Sequence, residues 1–213
     1  MQLIIGNKNY SSWSLRPWIL LKHAGVDFEE VRIPLFTEEG DRLLDEHCPA
    51  KQVPVLNDGR LVLWDSLAIC EYIADKFPAK NLLPQAADDR ARARAMSSEM
   101  HSGFHVLRAK MPMNCRRSVE KFTPDLATEI DINRIVELIE QALHDSKGPW
   151  LFGHYTVADA MYAPIASRFK TYGVRAPRAT QIYFEQVLSD APMQQWYEDA
   201  AAESEIIERA EIA

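Results

Sequence analysis

From Asp88 onward no segment of this chain alternates like a β-strand, whereas the residues before Pro78 switch repeatedly between strand-like and helix-like runs. That switch constrains the fold more than any other feature. Alternating strand and helix calls for a sheet covered by helices, with a parallel βαβ unit at its start. A run of helices needs a helix-on-helix core of its own. Residues 3–6 are predicted as a strand, 14–24 as a helix, 28–34 as a second strand and 37–47 as a short, charged, helical connection. Segments 53–56 and 60–64 flank Asn57-Asp58-Gly59, residues that tolerate the positive φ of a hairpin turn. Residues 66–77 make a third helix, stopped by Pro78. The expected order is βαβ–α–ββα, with the hairpin supplying antiparallel edge strands.

Residues 79–87 lack periodicity and read as a linker. Beyond it, 88–110 is expected as one long helix with Met96, Met100, Phe104 and Leu107 on a single stripe, closed by Pro112. Pro124-Asp125 opens another, where Leu126, Ile130, Ile135, Leu138, Ile139 and Leu143 recur at helical spacing until Gly148-Pro149. Thr156-Val157-Ala158-Asp159 has the spacing of a capping box and starts a buried helix through about residue 170. Segments 181–189 and 192–202 are two more helices. The fold class is α/β plus all-α: an α/β domain over 1–78, a linker over 79–87 and a helical domain over 88–213.

Composition narrows the function classes. The 213 residues are 47% hydrophobic, enough for a sizeable core. No run approaches the roughly eighteen apolar residues of a membrane span. Met1-Gln2-Leu3-Ile4-Ile5 has no basic stretch before the apolar run, so export is not expected. A net charge of −7 disfavours nucleic acid. Arg90 to Arg94 alternates with Ala and reads as a solvated helix face. The cysteines are three, Cys48, Cys70 and Cys115, without a CxxC pair, which fits a reducing cytoplasm. His101 and His105 stand one helical turn apart, but Ser102 occupies the place of the Glu in the helical zinc motif, so no metal is expected.

Three segments carry candidate chemistry. Ser11, Ser12 and Ser14 lie in a hydroxyl-rich loop between a strand and a helix, where unpaired N–H groups and the helix dipole favour an anion. Ser14 is read as the cap, because Pro17 then falls at the third helical position, where its missing N–H costs nothing. That leaves Ser11 and Ser12 free to face a ligand, or as a polar turn with no role. Val53-Pro54 precedes a hairpin strand. Its peptide is either an ordinary trans bond or a cis one that turns the Val53 backbone toward a peptide laid alongside. Asp65-Ser66 is either a plain helix cap or a receptor for the ammonium and carboxylate of an α-amino acid.

Ser11-Ser12-Trp13-Ser14, Lys51-Gln52-Val53-Pro54, Asp65-Ser66-Leu67-Ala68-Ile69 and Thr156-Val157-Ala158-Asp159, in that order, resemble the cytosolic glutathione transferases, and most of all their zeta-like bacterial group. The resemblance covers the whole chain. It implies a thioredoxin-like N-terminal domain followed by a helical bundle, glutathione as co-substrate, a small electrophile as partner and a cytoplasmic homodimer. By that resemblance Ser11 is the catalytic hydroxyl and Ser12 assists. Val53, with Pro54, pairs with the cysteinyl unit. Asp65 and Ser66 bind the γ-glutamyl head, and Lys51, Gln52 and His47 lie near the glycyl carboxylate. Tyr10, Trp13, Phe104, His105 and Arg108 line the second-substrate cleft. Trp13 stands where the zeta pattern has Cys. That removes a first-loop thiol, which counts against disulfide exchange and, less strongly, against zeta-type isomerisation of maleylacetoacetate. The readings are glutathione conjugation, isomerisation of an unsaturated diacid held by Arg108 or Arg168, and a non-catalytic binding protein on the same fold.

Overall fold

Leu3, Ile4 and Ile5 are apolar without helical spacing, and in a strand such residues alternate between faces. The computed structural model describes residues 1–212 and shows this arrangement. In β1 (Gln2–Ile5), Leu3 and Ile5 enter the main core, while Ile4 joins a smaller cluster with Ile33, Cys48 and Val55 on the other face. Helix α1 (Ser12–His23) crosses over to β2 (Glu29–Arg32), which pairs in parallel with β1 from Gln2↔Glu29 to Ile5↔Arg32. Helix α2 (Glu38–His47) follows, its start capped by Thr37, whose Oγ1 accepts the Gly40 N–H at 2.9 Å.

The hairpin is β3 (Val55–Asp58) and β4 (Leu61–Trp64), and the sheet order is β2-β1-β3-β4. Only β4 is an edge strand of the pair; β3 lies inside, antiparallel to both β1 and β4. Asn57 and Asp58 belong to the strand, and the turn falls on Gly59-Arg60, with Gly59 at φ +64°. Register to β1 outweighs the turn preference of Asn and Asp here, because a slip would exchange buried and exposed faces. Helix α3 (Ser66–Lys76) completes the α/β part.

The helical part comprises α4 (Ala87–Ser102), α5 (His105–Lys110), α6 (Leu126–Ser146), α7 (Val157–Tyr172), α8 (Arg178–Ser189) and α9 (Ala191–Ala202). The single helix expected over 88–110 is broken at Gly103-Phe104, with Phe104 in the left-handed region at φ +58°. The Asp131 carboxylate of α6 accepts the Leu107 N–H at 3.0 Å and caps the new start. Met96, Met100, Phe104 and Leu107 are all buried, so the stripe survives the break. Leu126 and Ile130 are exposed, and α6 enters the core only further along, through Ile132, Ile135 and Ile139.

Helix α7 is buried along almost its whole length and packs against α1 and α4, its small residues Ala160, Ala163 and Ala166 allowing close approach. Its start is built around Asp159. One carboxylate oxygen accepts the Thr156 N–H at 2.8 Å and hydroxyl at 3.1 Å; the other accepts the Leu151 N–H at 3.1 Å and the Tyr183 hydroxyl at 3.2 Å. After α9, a strap over residues 203–212 returns to the loop that follows β1. Glu203 accepts the Lys8 and Asn9 N–H groups at 2.6 and 3.0 Å. Glu211 accepts from the Tyr10 hydroxyl at 2.6 Å and from Asn114 at 2.8 Å, and pairs with Arg117 at 3.0 Å. The Lys8 ammonium is buried between Glu30 at 2.8 Å and Asp199 at 2.6 Å, over the rings of Trp18 and Trp196. Among the described residues no helix is long and apolar enough to cross a membrane.

Candidate functional site

Where the sheet meets the helices there is a cleft of about 910 Å³. The loop from Tyr10 to Trp13, the segment from Lys51 to Pro54 and the β4–α3 junction at Asp65 and Ser66 all border it. Across from them stand His105 and Arg108 of α5, Arg168 of α7 and the strap. The sequence segments singled out for chemistry therefore converge on one space.

The first loop differs from expectation. Ser11, not Ser14, caps α1: its Oγ accepts the Ser14 N–H at 3.4 Å. The Ser14 Oγ lies 2.8 Å from the Ser11 Oγ and accepts the Gly6 N–H at 3.1 Å, tying the helix start to the end of β1. Pro17 thus lies at the sixth helical position, and the Trp13 carbonyl loses its intrahelical donor. The cap and the tie to β1 outweigh that loss. Ser12 is not free either, since its Oγ accepts from the Arg168 guanidinium at 3.2 Å. A hydroxyl that accepts still has its own proton to give.

The Val53–Pro54 peptide is cis, and the Val53 N–H and C=O have no hydrogen-bond partner among the described residues. Asp65 caps α3 at φ +75°, one oxygen accepting the Leu67 and Ala68 N–H groups at 2.9 and 3.1 Å. Its other oxygen pairs with His101 Nε2 at 3.0 Å. The Ser66 hydroxyl accepts from Arg16 at 3.4 Å. Lys51 and Gln52 border the cleft, with Lys51 paired to Asp45 at 2.8 Å. His47 does not border it and faces Glu46 instead. Phe104 does not either: the break before α5 turns it into the core. The Tyr10 hydroxyl is held by Glu211, and Trp13 sits edge-on to His101 with the guanidiniums of Arg16 and Arg108 at 4.2 and 5.3 Å from its ring centroid.

Arg16, His101 and Arg209 belong to this surround without having been singled out for it from the sequence. Arg16 is buried and its Nε has no partner. Burial, then the charges of Arg168 and Arg108, push Arg16 down to about 9; burial and Arg108 push Arg168 to about 10, and burial lowers Arg108 as well. All three remain cations at neutral pH. Their hydrogen bonds go to carbonyls, hydroxyls and one imidazole, never to a carboxylate. Arg108 and Arg168 border the cleft with Arg16 buried behind them, and although the charges of Asp65 and Asp131 reach Arg16 and Arg108, the cluster hydrogen-bonds no carboxylate and favours an anion. No cluster of His, Cys, Asp and Glu among the described residues has metal-holding geometry.

The family model described as glutathione S-transferase, N-terminal domain, matches residues 10–76. A probable maleylacetoacetate isomerase from Caenorhabditis elegans is 31% identical over 188 residues, covering 85% of each chain. The chain belongs to the glutathione S-transferase family. Among solved structures, a maleylpyruvate isomerase described as a bacterial zeta-class glutathione S-transferase is 25% identical, with a TM-score of 0.71 over 96% of this chain and all of that one (100%). A glutathione transferase homologue from Burkholderia gl BGR1, solved with bound glutathione, superimposes with a TM-score of 0.73 over 94% of this chain and 97% of its own at 23% identity, and shows the same fold. In this glutathione S-transferase family member the β1–α1 loop, the segment before β3 and the start of α3 all fall within or at the edge of the matched N-terminal region, while the cationic cluster draws Arg108 and Arg168 from outside it.

His101 gives the site a measurable marker. Burial lowers its pKa below 6.5, while Asp65 pulls the other way and Arg16 and Arg108 reinforce the lowering. The folded state therefore gives up this proton more readily than the unfolded chain. Its contribution to stability is present above pH 6.5 and is lost as pH falls through the folded midpoint. An NMR titration of the His101 ring is expected to show a midpoint below 6.5. A midpoint above that value would mean that Asp65 dominates.

Proposed function

We propose that this chain binds reduced glutathione in the cleft and activates its thiol as a thiolate for attack on a small electrophile. The reading is carried by one observation: the hydroxyl loop, the unpaired Val53 backbone and the Asp65-Ser66 helix start border the same space. The γ-glutamyl head goes to Asp65 and Ser66, and the cysteinyl unit lies along Val53. Its sulfur meets Ser11 and Ser12. Lys51 and Gln52 flank the glycyl end.

A free thiol titrates near pKa ~8.5 and is mostly protonated at neutral pH. A hydroxyl aimed at sulfur favours the charged form and lowers that value. With a thiolate in place, the Ser11–Ser14 hydroxyl pair, 2.8 Å apart, turns so that Ser14 donates to Ser11 and Ser11 to sulfur. Ser12, polarised by Arg168, donates beside it. One charge-assisted hydrogen bond of about 1.5–3 kcal/mol supplies most of a two-unit shift, about 2.7 kcal/mol. The start of α1 adds a few tenths to about 1 kcal/mol. Ser11 is a stabiliser of the thiolate, not a nucleophile.

A second reading, glutathione-dependent isomerisation of an unsaturated diacid, draws support from Arg108 and Arg168, which offer guanidiniums without carboxylate partners to an anionic substrate. Family membership supports a symmetric homodimer acting in the cytoplasm, and the edge strand β4 leaves Leu61, Val62 and Trp64 exposed.

Isothermal titration with reduced glutathione tests the shared premise. A dissociation constant on the order of micromolar to low millimolar is expected. No binding would overturn both readings. Incubation with glutathione and maleylacetone then separates them: conjugation consumes glutathione, isomerisation returns it.

A further inference from the structure

We propose that Arg209, carried by the strap after α9, is a carboxylate-binding residue of the cleft. The inference rests on the glutathione reading above and adds to it a residue from far along the chain.

Arg209 sits in the short 3-10 turn Glu208–Ala210 and borders the cleft with its neighbours Ile207 and Ala210. Its guanidinium lies 3.7 Å from the ring centroid of Phe36, in the loop between β2 and α2. Phe36 is a large apolar residue left 56% exposed, with φ at +61°. Backbone in that region is costly for a bulky side chain. An aromatic face held out at the rim, with a guanidinium stacked on it, has a use: stacking fixes the cation and leaves its N–H fork free.

The strap carries four acids, of which three are committed elsewhere and Glu208 is exposed without pairing to Arg209. Glu203 takes the Lys8 and Asn9 amides, Glu205 pairs with Arg32 at 2.8 Å, and Glu211 is held by Tyr10, Asn114 and Arg117. Arg209 forms no ion pair with any of them, nor with any other carboxylate among the described residues. Ile207 and Ala210 are buried and hold the turn on either side. The tethers thus place a positioned, unneutralised fork at the rim, opposite in sign to the carboxylates of glutathione and of any acidic electrophile. The carboxylate comes either from the glycyl end of glutathione or from the second substrate.

Arg209→Gln keeps a planar, stacking side chain and removes the charge. Since the residue is exposed, its melting temperature should match that of the wild type, which checks the fold. Glu211→Gln weakens the tether without touching Arg209 and should act in the same direction. Titrations at fixed ionic strength would use glutathione, its glycyl monoethyl ester and maleate. If the carboxylate is glycyl, Arg209→Gln weakens glutathione about 3- to 30-fold. The wild type then discriminates against the ester and the variant does not. If it belongs to the second substrate, maleate weakens by a similar factor and glutathione is unchanged. Wild-type binding with neither ligand affected by Arg209→Gln overturns the inference and leaves the glutathione reading standing. Wild-type binding of maleate alone, lost in the variant, overturns the glutathione reading and keeps the carboxylate site. Binding of neither ligand by the wild type overturns both.

Discussion

Replacing Asp159 by Ala is expected to remove about 3–5 kcal/mol of stability, a large share of the roughly 5–15 kcal/mol of a typical domain. The carboxylate accepts from four donors, on Leu151, Thr156 (two) and Tyr183, and is wholly buried. The Ala variant strands all of them with no water to replace the acceptor, and each buried orphan costs about 1–3 kcal/mol before relaxation. It also releases the start of α7, against which α1 and α4 pack. Asp159→Asn keeps one acceptor oxygen and is expected to lose less. Urea unfolding reads the difference as a lower midpoint at unchanged slope; midpoints matching the wild type would mean that water enters. The pH dependence has a defined sign. Burial holds this carboxyl up to about 6, against 3.8 for a free one, so the folded state binds the proton more tightly than the unfolded chain. This one group should add stability as pH falls from about 6 toward 3.8, and that increment should vanish in the Ala variant.

The second large effect is expected on activity. Ser11→Ala should lower kcat/KM about 10- to 100-fold, the loss of one charge-assisted hydrogen bond to sulfur. Glutathione affinity should stay within a few-fold, because the head and backbone contacts lie elsewhere. The pH midpoint of thiolate formation in the bound state should rise with the loss. Because Ser11 is also the cap of α1, the variant should lose about 1 kcal/mol of stability besides. Ser12→Ala separates the two roles: it removes a hydroxyl and the Arg168 contact but leaves the cap intact. Equal activity of Ser11→Ala and the wild type would move the thiolate donor to Ser12.

What was legible in the sequence was local. Thr156 and Asp159 announce a helix start because the bonds that make it span three residues. Asp125 does the same for α6, its side chain accepting the Thr128 N–H at 2.9 Å. The order of strands and helices followed from periodicity, and the family from four short motifs. Three local readings failed where a longer-range contact won, the first being the turn expected on Asn57-Asp58-Gly59, which gave way to register with β1. Ser14 was the better cap by the position of Pro17 alone, but Gly6 of β1 claims its hydroxyl. Phe104 continued a helical stripe, but Asp131 of α6 starts a new helix after it. Gly103, a poor helix former, was the available signal for that break. The cationic cluster was not legible as a unit, since Arg16, Arg108 and Arg168 come from three separate helices and meet only once these pack.

The tether between Glu203 and the Lys8 and Asn9 amides spans 195 and 194 positions of chain. A ribosome delivers these partners far apart in time. The loop with Ser11 and Ser12 leaves the exit tunnel long before α9 and the strap exist to hold it. While synthesis proceeds, Lys8 lacks Asp199 and the ring of Trp196, and Tyr10 lacks Glu211. The nascent α/β part would thus carry the Ser11–Ser12 loop without its brace, which arrives only with α9 and the strap that follows it. A chain stalled or clipped before residue 203 would keep every motif that identifies its family and still lack the brace on the loop that leads to Ser11 and Ser12.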